Sequence, residues 1–255
     1  MSLLSILFGN KEKSNGIDYS KTIIDAIGCK HEEIKWNNGI MNYYLSEYEN
    51  GKKNGYTPVI ICVDRLLAET IDENNRTENE IIQSRKELLS SDLSYGKSFL
   101  KNTLDEQLEC LKEYEGDFDI YGSFDDSLDH TNFFTPPHLE ENFKGRFILF
   151  RIPTTNPWEV FAWIPFGGWN ACPDEKDMMA VCKYWYELYG AVPAIISGDT
   201  LQMYCPNPVT NNNDALKLAE EQYAFCNDIV DQGVGEINKH ASMLIDSTVW
   251  YFWWD

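Results

Sequence analysis

Positive charge is scarce in this chain. Twenty-one Lys and Arg stand against 41 Asp and Glu, a formal net charge of −20. A field of that sign repels phosphate backbones and anionic headgroups, so nucleic acid and lipid surfaces are poor partners; a basic protein partner stays open, with solubility as the plainer role of the charge. Long apolar runs are missing too. The run Met1–Phe8 is far short of the roughly 20 residues that span a bilayer. Lys11 and Lys13 follow that run, where a secretory signal carries its charge in front. A short helix docked on the protein is expected there, and no stable membrane insertion. The seven cysteines form no CxxC and no Cys/His cluster, which leaves no ligand set for a metal and fits free thiols in a reducing cytoplasm. P-loop, HExxH and GxSxG patterns are absent. Gly233-Val-Gly235 lacks the third glycine of a dinucleotide loop, because Asn238 occupies its place. No cofactor is expected.

Aromatics are plentiful. They make up 14% of the chain and include eight Trp, enough for a sizeable core. Asp18 to Gly28 has the spacing of a short amphipathic helix, with Ile23, Ile24 and Ile27 on one face. His31 to Trp36 reads as a strand, and Met41 to Glu49 fits a helix or a second strand. Pro58 to Asp64 is a continuous apolar run bounded by turn residues, the pattern of a strand buried on both faces. A helix follows from Leu66 to Ile71. Residues 76–115 carry the apolar stripe of a helix pair, with a break near Ser90 to Gly96.

Between Asp105 and Asp129 ten acidic residues face Lys112 alone. Asp117 to Gly122 begins like a calcium-binding EF-hand loop, but Tyr121 and Leu128 stand where ligands are needed, so it is read as an acidic surface loop. Thr135-Pro-Pro137 and His138 to Asn142 form a connector. The boundary is placed there: residues 1–143 are an acidic, helix-rich region with at least one buried strand, and 144–255 an α+β domain.

In the second part, Phe147–Ile152 and Trp158–Ile164 read as a hairpin. A helix runs from Pro173 to about Tyr189, and a second hairpin spans Val192 to Cys205 with Ser197-Gly198 at its turn. Helices are expected over Asn211–Cys226 and Glu236–Ile245, and Val249–Trp254 is a closing aromatic strand. The order indicates an α+β fold: an antiparallel or mixed sheet built from hairpin–helix units, with helices packed on it. Trp163, Trp185 and Trp253 are expected in its core.

Three blocks carry a family resemblance: Pro165-Phe-Gly-Gly-Trp-Asn-Ala-Cys-Pro173, Glu221 to Gly235, and Trp250-Tyr-Phe-Trp-Trp-Asp255. Over roughly residues 144–255 the chain resembles the bacterial domain of unknown function 4253 (DUF4253). Phe225-Cys226-Asn227 departs from that family's usual Tyr-Cys-Pro. The resemblance implies a soluble bacterial protein and assigns no activity.

The chemistry-bearing candidates lie in those blocks. Gly167 and Gly168 permit positive φ, so their amides can form an anion nest ahead of a helix. Trp169 and Asn170 follow, and with Asp199 and Gln232 they complete the candidate binding residues. Cys172 near a helix N-terminus is a candidate nucleophile, although a base for it is not evident, since His240 is the one histidine of this part. Asp228 and Asp231, three apart, can serve acid–base work or cap backbone amides. A buried-hydrophobe role for Cys172 and a corner-turning role for the glycines are the structural alternatives.

Two functions follow from these residues. One is a non-enzymatic protein-interaction module, of which an immunity-type protein neutralising a basic toxin is a concrete version. The other is a small hydrolase-like or transferase-like enzyme with its cleft at the Gly-Gly-Trp-Asn-Ala-Cys loop. Convergence of the candidate polar groups on a pocket favours the second; capping of backbone inside a Trp-filled core favours the first.

Overall fold

The structure, a computed structural model, describes residues 18–73, 78–115, 119–137 and 146–255. The expected helix over Met1–Phe8, Asp117 of the EF-hand-like stretch and His138–Asn142 of the connector lie outside the described residues.

A six-stranded sheet organises the fold, in the order β1-β3-β2-β4-β5-β6. The strands are β1 (Lys30–Ile34), β2 (Thr57–Val63), β3 (Arg146–Ile152), β4 (Val192–Ile196), β5 (Thr200–Tyr204) and β6 (Val249–Trp253). β2 and β4 run parallel; every other neighbouring pair is antiparallel. β3 comes from the second part of the sequence and is flanked on both sides by strands of the first. The boundary at 143/144 is therefore one of composition, and backbone hydrogen bonding runs across it.

Helices cover the sheet unequally. On one face Val59, Ile61, Ile148, Phe150, Leu201, Trp250 and Phe252 meet α1 (Ser20–Ile27), α3 (Arg65–Glu73), α6 (Glu175–Tyr189), α7 (Asn212–Phe225) and α8 (Ile237–Leu244). On the other face Ile60, Cys62, Phe147, Leu149 and Ala194 pack against α2 (Ile40–Asn54). Successive side chains of a strand point to opposite faces. A strand between two helical layers must therefore be apolar throughout, and all seven residues of β2 are buried. Residues 40–54 are a helix because Ile40, Tyr44, Tyr48 and Gly51 fall on one buried stripe. α4 (Glu78–Leu89) and α5 (Gly96–Glu115) complete the α-helices among the described residues, and the break between them falls where expected.

The expected hairpin of Phe147–Ile152 with Trp158–Ile164 is not formed. Pro157–Ala162 is instead a 3-10 helix. Pro157 at its start fixes φ and brings no N–H. Thr154 Oγ1 donates to Glu159, whose other oxygen accepts from Asn156 Nδ2 at 2.8 Å, and these bonds tie the turn shut. Both edges of β3 are already taken by β1 and β2. The β4–β5 hairpin stands as expected.

Trp163 and Trp185 are buried in the core. Trp253 is only half-buried: along β6 the alternation sends Trp250, Phe252 and Trp254 inward and turns Trp253 outward. Trp185 packs edge-on to Phe225 and Trp250 and stacks on Phe252 at 5.6 Å.

The acidic segment 119–135 is laid across the second part as a strap. Ile120 O and Tyr121 O accept from the amides of Ile237 and Asn238 at 2.9 and 3.0 Å, and Thr131 O accepts from Val249 N at 3.0 Å. Gln202, buried on β5, exchanges two hydrogen bonds with the backbone of Thr135.

Trp185→Ala removes the centre of the aromatic cluster and should cost about 3–5 kcal/mol of unfolding free energy by urea titration. A loss under about 1 kcal/mol would mean that the cluster is not the core.

Candidate functional site

The Gly167–Pro173 loop connects the 3-10 helix to α6. Gly167 and Gly168 take φ values of 94° and 77°. A Cβ on Gly167 would stand 1.9 Å from Pro173 O, so only glycine fits that close approach. The Gly168 amide points inward, at Cys172 O (3.1 Å) and Pro173 O (3.0 Å). The Gly168 amide of the expected anion nest is thus engaged in closing its own loop. Asn170 holds φ 47° and donates from Nδ2 to the backbone oxygen of Asp255 at 2.7 Å. Trp169 packs partly buried against the core, with its indole nitrogen unpaired among the described residues.

Cys172 is 4% exposed. Burial pushes its thiol well up from the ordinary cysteine value, and the neighbouring Cys226 adds to the rise. The α6 N-terminus has its own cap, since Asp174 Oδ1 accepts from Asp177 N at 2.9 Å. The thiolate stabilisation expected of Cys172 is therefore outweighed by desolvation.

The remaining candidates meet at the same place. Asp228 Oδ2 accepts from Asp255 N at 3.0 Å, and its Oδ1 accepts from Gln232 Nε2 at 2.9 Å. The Cys226 thiol donates to Trp253 O at 3.0 Å, and burial raises it to about 12. The carbonyl of Asp199 accepts from Trp254 N at 3.1 Å, while its carboxylate accepts from the hydroxyls of Ser197 and Thr200. Asp231 stands slightly apart, accepting from Tyr223 Oη and Asn227 Nδ2 across a π-helical turn over Ile229–Val234. The side chains of Asn170, Cys226 and Asp228 thus bond the backbone of Trp253–Asp255, while Asp199 reaches it through its own carbonyl and keeps its carboxylate on two hydroxyls.

Three further polar centres are not evident from sequence motifs. Asp64 lies at the C-terminal ends of the parallel pair β2 and β4, the position at which open α/β sheets collect ligands. Its Oδ1 accepts from Leu67 N at 2.8 Å, capping α3, and its Oδ2 accepts from Gly198 N at 2.6 Å. Burial raises its carboxyl, the two backbone bonds oppose the rise, and Asp199 reinforces it. A carboxylate closing the six-residue apolar run Pro58–Val63 is the one signal that marks it.

Glu221 accepts from Tyr184 Oη at 2.8 Å and Trp185 Nε1 at 2.9 Å; burial raises it against those bonds. His240 is buried with Nε2 2.8 Å from Gln222 Oε1, and desolvation depresses it to about 4. Its contact is an amide, not a thiol, and at neutral pH the ring is uncharged.

These elements define an α+β protein with a mixed sheet and helices on both faces, whose polar candidates brace the last strand. Residues 148–255 match the family model described as Domain of unknown function (DUF4253). The match takes in most of β3 and everything after it, while β1 and β2 lie outside it. No curated protein and no solved structure gives a significant match.

Asp228→Ala leaves the Asp255 amide and Gln232 without their acceptor and should cost roughly 1–3 kcal/mol in chemical denaturation. Asp228→Asn keeps one acceptor oxygen and should lose less; equal losses would show that the carboxylate charge, and not the backbone anchor, is what matters. For His240, the unfolded chain takes up its proton near 6.5 and the folded chain only near 4. Between those values the unfolded state binds more protons, so this histidine makes stability fall as pH drops from about 6.5 towards about 4. His240→Gln should flatten the unfolding midpoint across that window, and an unchanged slope would refute the assignment.

Proposed function

We propose that this chain is a non-enzymatic protein-interaction module. One observation carries the reading: the side chains best placed for chemistry are consumed in bracing backbone. Asn170 and Asp228 hold Asp255, Asp64 holds Leu67 and Gly198, and Cys172 is a desolvated thiol. An enzyme with its cleft at the glycine loop needs an accessible nucleophile and a base in reach of it. Here Cys172 is buried and His240 is bound to Gln222.

The surface offered for recognition is acidic. Glu109 and Glu113 on α5, and Asp119, Asp126 and Asp129 on the strap, are exposed. The strap's hydrogen bonds to α8, β5 and β6 hold its carboxylates on a fixed frame. A preformed negative surface steers a basic partner and raises association rate more than final affinity. A bacterial basic toxin met in the cytoplasm, with this chain as its immunity protein, is the concrete version of such a partner.

The test is kinetic. A partner captured by cross-linking to the full chain should be basic. Replacing Glu109, Glu113, Asp126 and Asp129 by their amides should slow association about tenfold or more and flatten its salt dependence, with dissociation nearly unchanged. The Asp→Asn and Glu→Gln changes preserve side-chain shape, so thermal unfolding should shift little. Association indifferent both to these substitutions and to salt would sink the reading.

A further inference from the structure

Arginine is paired with carboxylates elsewhere in the described residues. Arg65 lies 3.7 Å from Glu69, Arg146 reaches Asp18 and Glu33, and Arg151 reaches Glu32 and Glu47. Arg85 is different. It sits on α4, half-buried, with its guanidinium 4.9 Å from the centre of the Trp163 ring. Its Nε donates to Ala162 O at 3.2 Å. No carboxylate pairs with it among the described residues, in a chain with about twice as many acidic as basic groups. Burial depresses its pKa; the one opposing influence among the described groups is the thiol of Cys29 at the α1–β1 turn. A carboxylate in contact would act the other way.

A guanidinium has five N–H donors in a rigid fork. Here one is fixed by Ala162 and the guanidinium carbon sits over an indole, so the group is positioned before any ligand arrives. The four Nη hydrogens remain, with the geometry that recognises two oxygens of an oxyanion. Holding an unpaired cation half out of water is costly unless something compensates it.

We propose that Arg85, oriented by Trp163 and Ala162, is the receptor for an oxyanion of a small ligand, a phosphate or a carboxylate. This site is separate from the acidic interaction surface. Its ligand docks where α4 meets the 3-10 helix, beside the Cys29 turn, and the guanidinium fork takes two of its oxygens. The long-range field of the protein opposes anions, but at physiological salt it is screened beyond about 8 Å, so the local guanidinium governs binding.

Titration of the full chain, labelled with nitrogen-15, with inorganic phosphate and separately with acetate tests this. Saturable shifts of the Arg85 Nε–H and Trp163 indole signals are expected with at least one anion; which anion acts distinguishes a phosphorylated from a carboxylated ligand. Arg85→Gln should weaken binding about tenfold or more. Arg85→Lys keeps the charge but loses the fork, and should fall between the two. If Arg85→Gln fails to fold, the wild-type Nε–H titration decides alone. Absence of a saturable shift with either anion, or equal binding by a folded Arg85→Gln, overturns the proposal.

Discussion

Burial of β2 on both faces is the constraint on which the rest of this structure depends. Its seven residues are fully enclosed, pairing antiparallel with β3 on one side and parallel with β4 on the other. Enclosure on two sides demands two helical layers, and the chain supplies α2 for one and most of the remaining helices for the other. The same pairing merges the acidic first part and the DUF4253-matching second part into one sheet. A strand carrying seven buried peptide units cannot stand alone, because each unpaired N–H and C=O away from water is costly. The DUF4253 match begins inside β3, so the strand that completes this sheet at its centre comes from outside the matched residues.

The second theme is where polar atoms are spent. In a core this aromatic, buried carboxylates and amides are costly without partners. The closing strand and its neighbours absorb most of them: Asn170 and Asp228 at Asp255, Cys226 at Trp253, Gln202 at Thr135, Asp64 at Gly198. Such bonds join elements far apart in sequence and specify one register for the aromatic end of the chain. They also leave little uncommitted chemistry inside. Arg85 stands out against this background because its charge is offset by an indole face and a carbonyl and not by a carboxylate.

Much of the fold was legible because burial imposes periodicity on sequence. The continuous run at 58–64 announced a two-sided strand, the stripe along 175–189 a helix, and the aromatic run 249–254 a closing strand, although its inward face was misassigned at Trp253. Met41 to Glu49 stayed ambiguous because Tyr44 and Tyr48 at four-residue spacing suit a helix, while aromatic bulk suits a strand. The assignment of 158–164 as a strand failed for a tertiary reason: β3 had no free edge to offer, and Pro157 with the Thr154–Glu159 bond closed a 3-10 turn.

By itself the sequence determined the class of the fold, the acidity of the first part and the family blocks. Those follow from composition and short-range spacing, which survive without coordinates. Only the tertiary structure decided that β1 and β2 insert on either side of β3, because strand order depends on pairings between residues roughly a hundred positions apart. It alone decided what the candidate residues do. Whether Asp228 meets a substrate or the amide of Asp255, and whether Cys172 faces water or Cys226, depends on which elements pack beside them. Local sequence does not encode that neighbourhood.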